Sequence, residues 1–261
     1  MRFSLISFSK WHALGNSYLL VERTELGRPL DSELAGRLCD VRYGVGSDGV
    51  LEVVAVDGTE AEIVIWNPDG SVAEFSGNGS RIAAAWVAGR ARAERVSVSV
   101  GGRRYSAAIR GDGTIAMAVG NVEVGEIETV EIDGERIELT AVSVGNPHAV
   151  VRADADREEL LRLGPQIETS DRFPERTNVQ LVRVDGPHEV TALVWERGAG
   201  ETSASGSSAV AVASAAIANG WCESPVTVQM PGGELRVELD QENQLTLVGP
   251  AEQICVGKVR V

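Results

Sequence analysis

Short alternations of apolar and polar residues, each closed by glycine, aspartate or asparagine, run through most of the chain and predict a protein built mainly of β-strands. In the first half strands are expected at Phe3–Ser9, Ser17–Glu22, Leu51–Val56, Ala61–Trp66, Val96–Val100, Arg103–Ile109 and Ile115–Val119. The second half repeats the theme at Ile137–Val144, Ala149–Arg152, Asn178–Val184, Glu189–Trp195, Val226–Gln229, Leu235–Leu239 and Gln244–Val248. Each half also has a short early helix, at Asp31–Asp40 and Glu158–Ile167, and a second helix in its middle, at Gly79–Gly89 and Ser207–Asn219. These central helices are rich in alanine and carry no charge except Arg81. A helix apolar on every side is buried on every side, as when a sheet wraps around it.

The two halves match in detail. Leu14-Gly15-Asn16 returns 130 residues later as Val144-Gly145-Asn146, Arg42-Tyr43 as Arg172-Phe173, and Asp48 as Asn178. Trp66 returns as Trp195, and ten residues past each tryptophan comes Ser-Gly, at Ser76-Gly77 and Ser205-Gly206. Features recurring in one order at an offset of 129 to 130 imply two copies of a unit long enough to be a domain rather than a solenoid repeat. The expected fold is therefore α+β: two pseudo-symmetric domains, each a mostly antiparallel sheet rolled around a buried helix. The expected boundaries are 1–120 and 121–249, with 250–261 a candidate completion of the first domain.

Length and composition fit that picture. At 261 residues and 43% hydrophobic, each half can bury a core of its own. No apolar run approaches a membrane span, and the N-terminal residues enter a strand pattern directly, so the expected location is the cytoplasm with no membrane partner. The net charge of −14 argues against nucleic acid, whose phosphates need a basic surface. Cys39, Cys222 and Cys255 have neither metal-like nor disulfide-like spacing, so they are expected to be packed or free thiols, and no metal site is expected.

The chemistry concentrates where the repeats place their Ser-Gly pairs. Ser76 and Ser205 stand at the N-termini of the two buried helices, where unpaired backbone N–H groups and the positive end of the helix dipole favour an anion. A carboxylate could sit on the amides of Gly77-Asn78 and Gly206-Ser207. Each serine could equally be a simple helix cap.

Five stretches carry a resemblance to one family. Asn67-Pro68-Asp69-Gly70-Ser71 with Ser76-Gly77-Asn78-Gly79-Ser80-Arg81, and Glu196-Arg197-Gly198-Ala199-Gly200-Glu201-Thr202-Ser203-Ala204-Ser205-Gly206, resemble the two signature loops of diaminopimelate epimerase. Lys10 to Asn16, Gly145-Asn146-Pro147-His148 and Arg176 to Gln180 also fit. The resemblance implies two similar domains with the active site in the cleft between them. It also implies cofactor-free interconversion of L,L- and meso-diaminopimelate, a step towards lysine and peptidoglycan. Such a reaction needs one group to take the Cα proton and a second to return one on the opposite face. By resemblance, positions 76 and 205 hold those groups, Glu196 assists, His148 lines the site near the first of them with a catalytic role or equally an orienting or packing one, and Asn16, Asn67, Asn146, Asn178, Glu196 and Arg197 bind the substrate. Arg197 suits a distal carboxylate because a guanidinium can grip it with two hydrogen bonds. A homodimer is carried over from the family as an expectation.

One departure stands against this. The family has cysteine at both acid–base positions, and this chain has serine. A thiol titrates near neutral pH and a helix N-terminus lowers its pKa, whereas a hydroxyl needs a neighbouring base. The expectation is a chain that binds a diamino-dicarboxylic acid but epimerises it very slowly or not at all. Two origins remain open: a deliberate double Cys→Ser exchange in a working epimerase, or a natural paralogue that binds an amino acid without epimerising it or isomerises another substrate.

Overall fold

The structure is a computed structural model that describes residues 5–260. Of the expected first strand, Phe3 and Ser4 lie outside the described residues. The chain divides into two compact units, Met1–Ala118 with Gly249–Val261, and Val119–Val248.

The first unit contains β1 (Leu5–Ala13), β2 (Asn16–Glu22), α1 (Arg23–Leu26), α2 (Ser32–Cys39), β3 (Val50–Asp57), β4 (Glu60–Trp66), β5 (Val72–Ala73), α3 (Gly77–Ala91), β6 (Arg95–Val100), β7 (Arg103–Ile109) and β8 (Ile115–Gly120). The second contains β9 (Glu123–Ile132), β10 (Glu135–Ser143), β11 (Pro147–Arg152), α4 (Arg157–Glu168), β12 (Asn178–Gly186), β13 (Glu189–Glu196), β14 (Gly200–Thr202), α5 (Gly206–Ala218), β15 (Val226–Met230), β16 (Gly233–Leu239) and β17 (Leu245–Gly249). The chain then adds β18 (Glu252–Arg260), which pairs antiparallel with β1.

Sheet order in the first unit is β18-β1-β2-β3-β4-β6-β7-β8, with β2–β3 and β4–β6 parallel and the other neighbours antiparallel. In the second unit it is β9-β10-β11-β12-β13-β15-β16-β17, with the parallel pairs β11–β12 and β13–β15 at the same two places. The short β5 and β14 extend β4 and β13 in the same way. Thus β18, from the end of the chain, fills in the first unit the place that β9 fills in the second. Neither strand is anticipated by the hydrophobic pattern. Among the described residues each bonds to one neighbouring strand and is mostly exposed, with β18 leaving Ile254 and Val256 in solvent and β9 burying only Ile132, so little of either strand is forced to alternate.

The inner strands show the physical logic. Tyr18-Leu19-Leu20-Val21 is buried without a break because both faces are covered: Tyr18 and Leu20 join the cluster around α3 with Leu51, Ile63, Ile65 and Ile82, while Leu19 and Val21 join Leu34, Leu38 and Val50 beneath α2. A slip of one residue would exchange the two sets, so the register is firmly fixed. α3 touches β1, β2, β4, β6 and β7, and α5 touches β9 to β13, β15 and β16, so each sheet curls around its helix. In α5 every residue from Gly206 to Ala216 is buried.

One repeat pair shows compensation. Asp48 accepts hydrogen bonds from the Ser17 N–H at 2.7 Å and the Ser17 hydroxyl at 2.9 Å. Its counterpart Asn178 faces Pro147, which has no N–H, and instead donates from Nδ2 to the Pro147 carbonyl at 2.8 Å. An acceptor became a donor where the neighbour lost its donor. Among the described residues no helix is long and apolar enough to cross a membrane.

Candidate functional site

The first unit's loop begins where β4 ends at Trp66. Asn67 Nδ2 donates to the Ser71 hydroxyl at 2.9 Å, and Asp69 accepts from the Ser71 N–H at 2.9 Å and its hydroxyl at 2.7 Å. Gly70 completes the turn at φ +81, where a Cβ would lie 2.1 Å from the Ser32 hydroxyl. Asn67 is therefore a turn residue whose Oδ1 has no protein partner among the described residues. After β5 comes Ser76, extended at φ −140 and ψ 118, and α3 starts at the next residue, two earlier than the sequence pattern suggested.

Ser76 is a true cap: its Oγ accepts from the Gly79 N–H at 3.1 Å and lies 3.1 Å from the Tyr18 hydroxyl. Gly77 and Asn78 follow, with N–H groups that precede the first intrahelical bond. Asn78 Nδ2 donates to Asn16 Oδ1 at 3.2 Å, and Arg81 donates to Asn78 Oδ1 at 2.6 Å and to the Gly77 carbonyl at 3.1 Å. Ser76, Gly77, Asn78 and Asn16 are thus gathered at one helix end. Tyr18 and Arg81 join them, although the sequence reading assigned neither a role at the site. Signals were available for both: Tyr18 is the repeat counterpart of His148, and Arg81 is the one charge within the buried first turns of α3.

In the second unit Ser205 has nearly the same backbone, φ −139 and ψ 125, but its side chain makes no cap hydrogen bond. Its carbonyl receives the Ala209 N–H at 3.0 Å, and Gly206 and Ser207 open α5 behind it. The cap reading therefore describes Ser76 and not Ser205.

The turn after β13 presents Glu196 and Arg197. It is braced from behind: Asn178 Oδ1 accepts the Arg197 N–H at 3.0 Å, and Glu168 accepts the Gly198 N–H at 2.7 Å, the Trp195 indole N–H at 2.7 Å and an Arg176 N–H at 2.6 Å. Both ends of the Asn178 amide are spent on protein partners, which makes it a bracket for the Arg197 turn. Arg197 itself is exposed and, among the described residues, has no carboxylate partner, only the Glu175 carbonyl at 3.4 Å. It is not the ordinary surface salt bridge that its residue type would suggest. Burial pushes the Glu196 carboxyl above the usual carboxylate range.

His148 is fully buried. Burial pulls its pKa down to about 3, with a smaller opposing effect of the Gln180 hydrogen bond, so the ring is neutral near pH 7. Gln180 Nε2 lies 3.1 Å from Nδ1 and also donates to Ser208 Oγ at 3.0 Å, while Nε2 of the ring lies 3.1 Å from Asn146 Oδ1. An amide N–H at Nδ1 makes Nε2 the protonated nitrogen, so it donates to Asn146. In this geometry His148 orients Asn146, and its environment opposes the proton uptake that a catalytic base would need.

Neither serine hydroxyl is hydrogen-bonded to an imidazole, carboxylate or amine among the described residues. All three cysteines are free, two of them buried and Cys255 exposed. Among the described residues no group of three or more His, Cys, Asp or Glu side chains could hold a metal ion.

Solved structures share this architecture at low identity. A hydroxyproline epimerase from Agrobacterium vitis, with trans-4-hydroxy-L-proline bound, superposes with a TM-score of 0.75 at 13% identity, covering 98% of this chain and 93% of that one. A phenazine biosynthesis protein from Bacillus anthracis gives 0.72 at 12% identity over the full length of both chains. These show the fold. Sequence relatives reach further: the diaminopimelate epimerase of Stutzerimonas stutzeri is 36% identical, covering 98% of this chain and all of its own. That of Desulfitobacterium hafniense is 35% identical, covering 95% of this chain and 96% of its own. The family model described as Diaminopimelate epimerase matches residues 8–125 and 140–254, one stretch in each repeat. By whole-chain relatives as well as by both halves of its sequence, this protein belongs to the diaminopimelate epimerase family.

Proposed function

We propose that this chain carries the substrate site of a cofactor-independent diaminopimelate epimerase, with positions 76 and 205 in the places of the two acid–base groups. As written, it binds the diamino-dicarboxylic acid without turning it over at an appreciable rate. The observation that carries this reading is the pair of extended serines at 76 and 205, each immediately before a buried helix at matching points of the repeat. An α-carboxylate held on the first amides of such a helix would have the charge that develops at Cα stabilised by fixed dipoles. Arg197, exposed and without a carboxylate partner among the described residues, suits the distal carboxylate. Glu196 beside it can accept from the distal ammonium.

The proton transfers are what serine cannot supply. A hydroxyl becomes a useful base only when a neighbour takes its proton, and the partners of Ser76 Oγ are the Gly79 N–H and the Tyr18 hydroxyl. His148 is committed to Asn146 and holds no proton on Nδ1 to exchange. The test is hydrogen–deuterium exchange at Cα of L,L-diaminopimelate in heavy water, run on this chain and on its Ser76→Cys/Ser205→Cys variant. Exchange and epimerisation are expected only in the variant, faster by a factor on the order of 10⁴ or more. Equal, rapid exchange in both would show that thiols are not required. Binding without exchange in both would favour an amino-acid-binding paralogue.

A further inference from the structure

Arg81 has no part in the function described so far, and its position is costly. The side chain is fully buried, its pKa is pulled down to about 9 by that burial alone, and no carboxylate pairs with it among the described residues. Burying a lone cation is strongly unfavourable, and an apolar side chain of similar volume often serves a core better. Its counterpart in α5 is Val210, buried in the same first turns with no charge at all. Packing therefore does not account for Arg81.

The direction of the neighbouring amides does. A guanidinium has donors only, so the Asn78 amide beside it turns Oδ1 towards Arg81. Asn78 Nδ2 is then directed to Asn16, where it occupies Oδ1. This leaves Asn16 Nδ2 as a donor with no protein partner among the described residues, on a partly buried side chain at the start of β2. The second unit reaches the same result with different parts. Gln180 fixes the ring of His148, His148 Nε2 occupies Asn146 Oδ1, and Asn146 Nδ2 is left as the donor. Asn16 and Asn146 are the 130-residue repeat pair.

We propose that Arg81 is a positioning residue: acting through Asn78, it fixes the Asn16 amide so that Nδ2 is offered to a carboxylate oxygen of the substrate. This rests on the diamino-dicarboxylic acid reading above. On such a substrate the ammonium groups can only donate, so an offered N–H can meet only a carboxylate. Arg81 is thus the first unit's substitute for the Gln180–His148 pair.

The experiment is a double-variant cycle on the full chain, with L,L-diaminopimelate binding measured by calorimetry for the parent, Arg81→Met, Asn16→Ala and the combined variant. Removing a hydrogen bond to a charged group weakens binding about tenfold or more, so each single variant should lose about tenfold. The combined variant should lose no more than the weaker single one, because both remove the same contact. Losses that multiply to about a hundredfold would overturn the relay.

A second readout needs no ligand. The side-chain amide resonances of Asn16, identified by their loss in Asn16→Ala, should shift or broaden in Arg81→Met while thermal denaturation shows the fold intact. Unchanged resonances would also overturn the proposal. If the parent binds no diaminopimelate but the Asn16 resonances move, the relay stands and the substrate reading fails.

Discussion

The N-terminal ends of α3 and α5 have matching backbones and different chemistry. Ser76 caps its helix, leans on Tyr18 and is followed by a buried arginine, while Ser205 makes no side-chain cap and is followed by an uncharged turn whose Ser208 ends the polar chain His148–Gln180–Ser208. The carboxylates behind the two sites differ in the same way. The Trp66 indole donates to Glu52 on β3 at 3.1 Å, and the Trp195 indole to Glu168 at the end of α4 at 2.7 Å. A duplicated scaffold thus keeps its strand order and backbone turns while the side chains that brace them are replaced as sets. Each set is held by its own hydrogen bonds, although Arg81 Nε and Gln180 Oε1 are buried without a partner among the described residues.

The largest expected effect tests the two carboxylates. Glu52 also accepts from Arg23 and from the Leu30 N–H, so Glu52→Ala strands an indole, an amide and a cation at once. It should cost about 3 kcal/mol in urea unfolding with no effect on ligand affinity. Glu168→Ala should cost a similar amount and also weaken diaminopimelate binding, because Glu168 holds the Arg197 turn. If both variants affect binding alike, the division of labour is wrong.

Next comes pH. His148 has a folded pKa of about 3, below the ordinary value of 6.5, so its contribution to stability is complete above about 6.5 and is lost as pH falls towards 3. In that window the slope should approach about 1.4 kcal/mol per pH unit, and His148→Gln should flatten it. Tyr18→Phe, at the matching place in the other unit, should leave the slope unchanged.

The Asn178–Pro147 exchange is a smaller test. Asn178→Asp sets a carboxylate against the Pro147 carbonyl and should cost about 2 kcal/mol, and adding Pro147→Ser should recover part of it by restoring the N–H that Asp48 has in the first unit. An additive double variant would break the analogy. Smallest is the cap itself: Ser76→Ala should lose about 1 kcal/mol in thermal or urea unfolding, and Ser205→Ala less than about half that. Equal losses would erase the difference from which the comparison starts.

Much of the fold is legible in the sequence because both faces of its inner strands are buried, as are nearly all of α5 and the first two turns of α3. Burial forces apolar residues into Tyr18–Val21 and into Ala209–Ala216, where pattern reading finds them. The edge strands β9 and β18 escape it because solvent exposure imposes no pattern. The candidate site is legible as motifs, since Ser76, Ser205 and Arg197 occupy positions set by chain spacing. Which asparagine amides remain available is not legible. Asn16, Asn146 and Asn178 are the same residue type, and only their neighbours leave the first two with open donors and the third with none.

By itself the sequence determined the duplication, the two rolled sheets with their buried helices, the family, and the presence of serine at positions 76 and 205, where the proposed function places the acid–base groups. These depend on residue types and spacings, which the chain carries directly. The tertiary structure decided that Ser76 caps and Ser205 does not, that His148 is neutral and committed to an asparagine, and that Arg81 lies buried without a counterion among the described residues. Such properties follow from which donor meets which acceptor once water is excluded, both between near neighbours such as Ser76 with Gly79 and His148 with Asn146, and between distant residues such as His148 with Gln180.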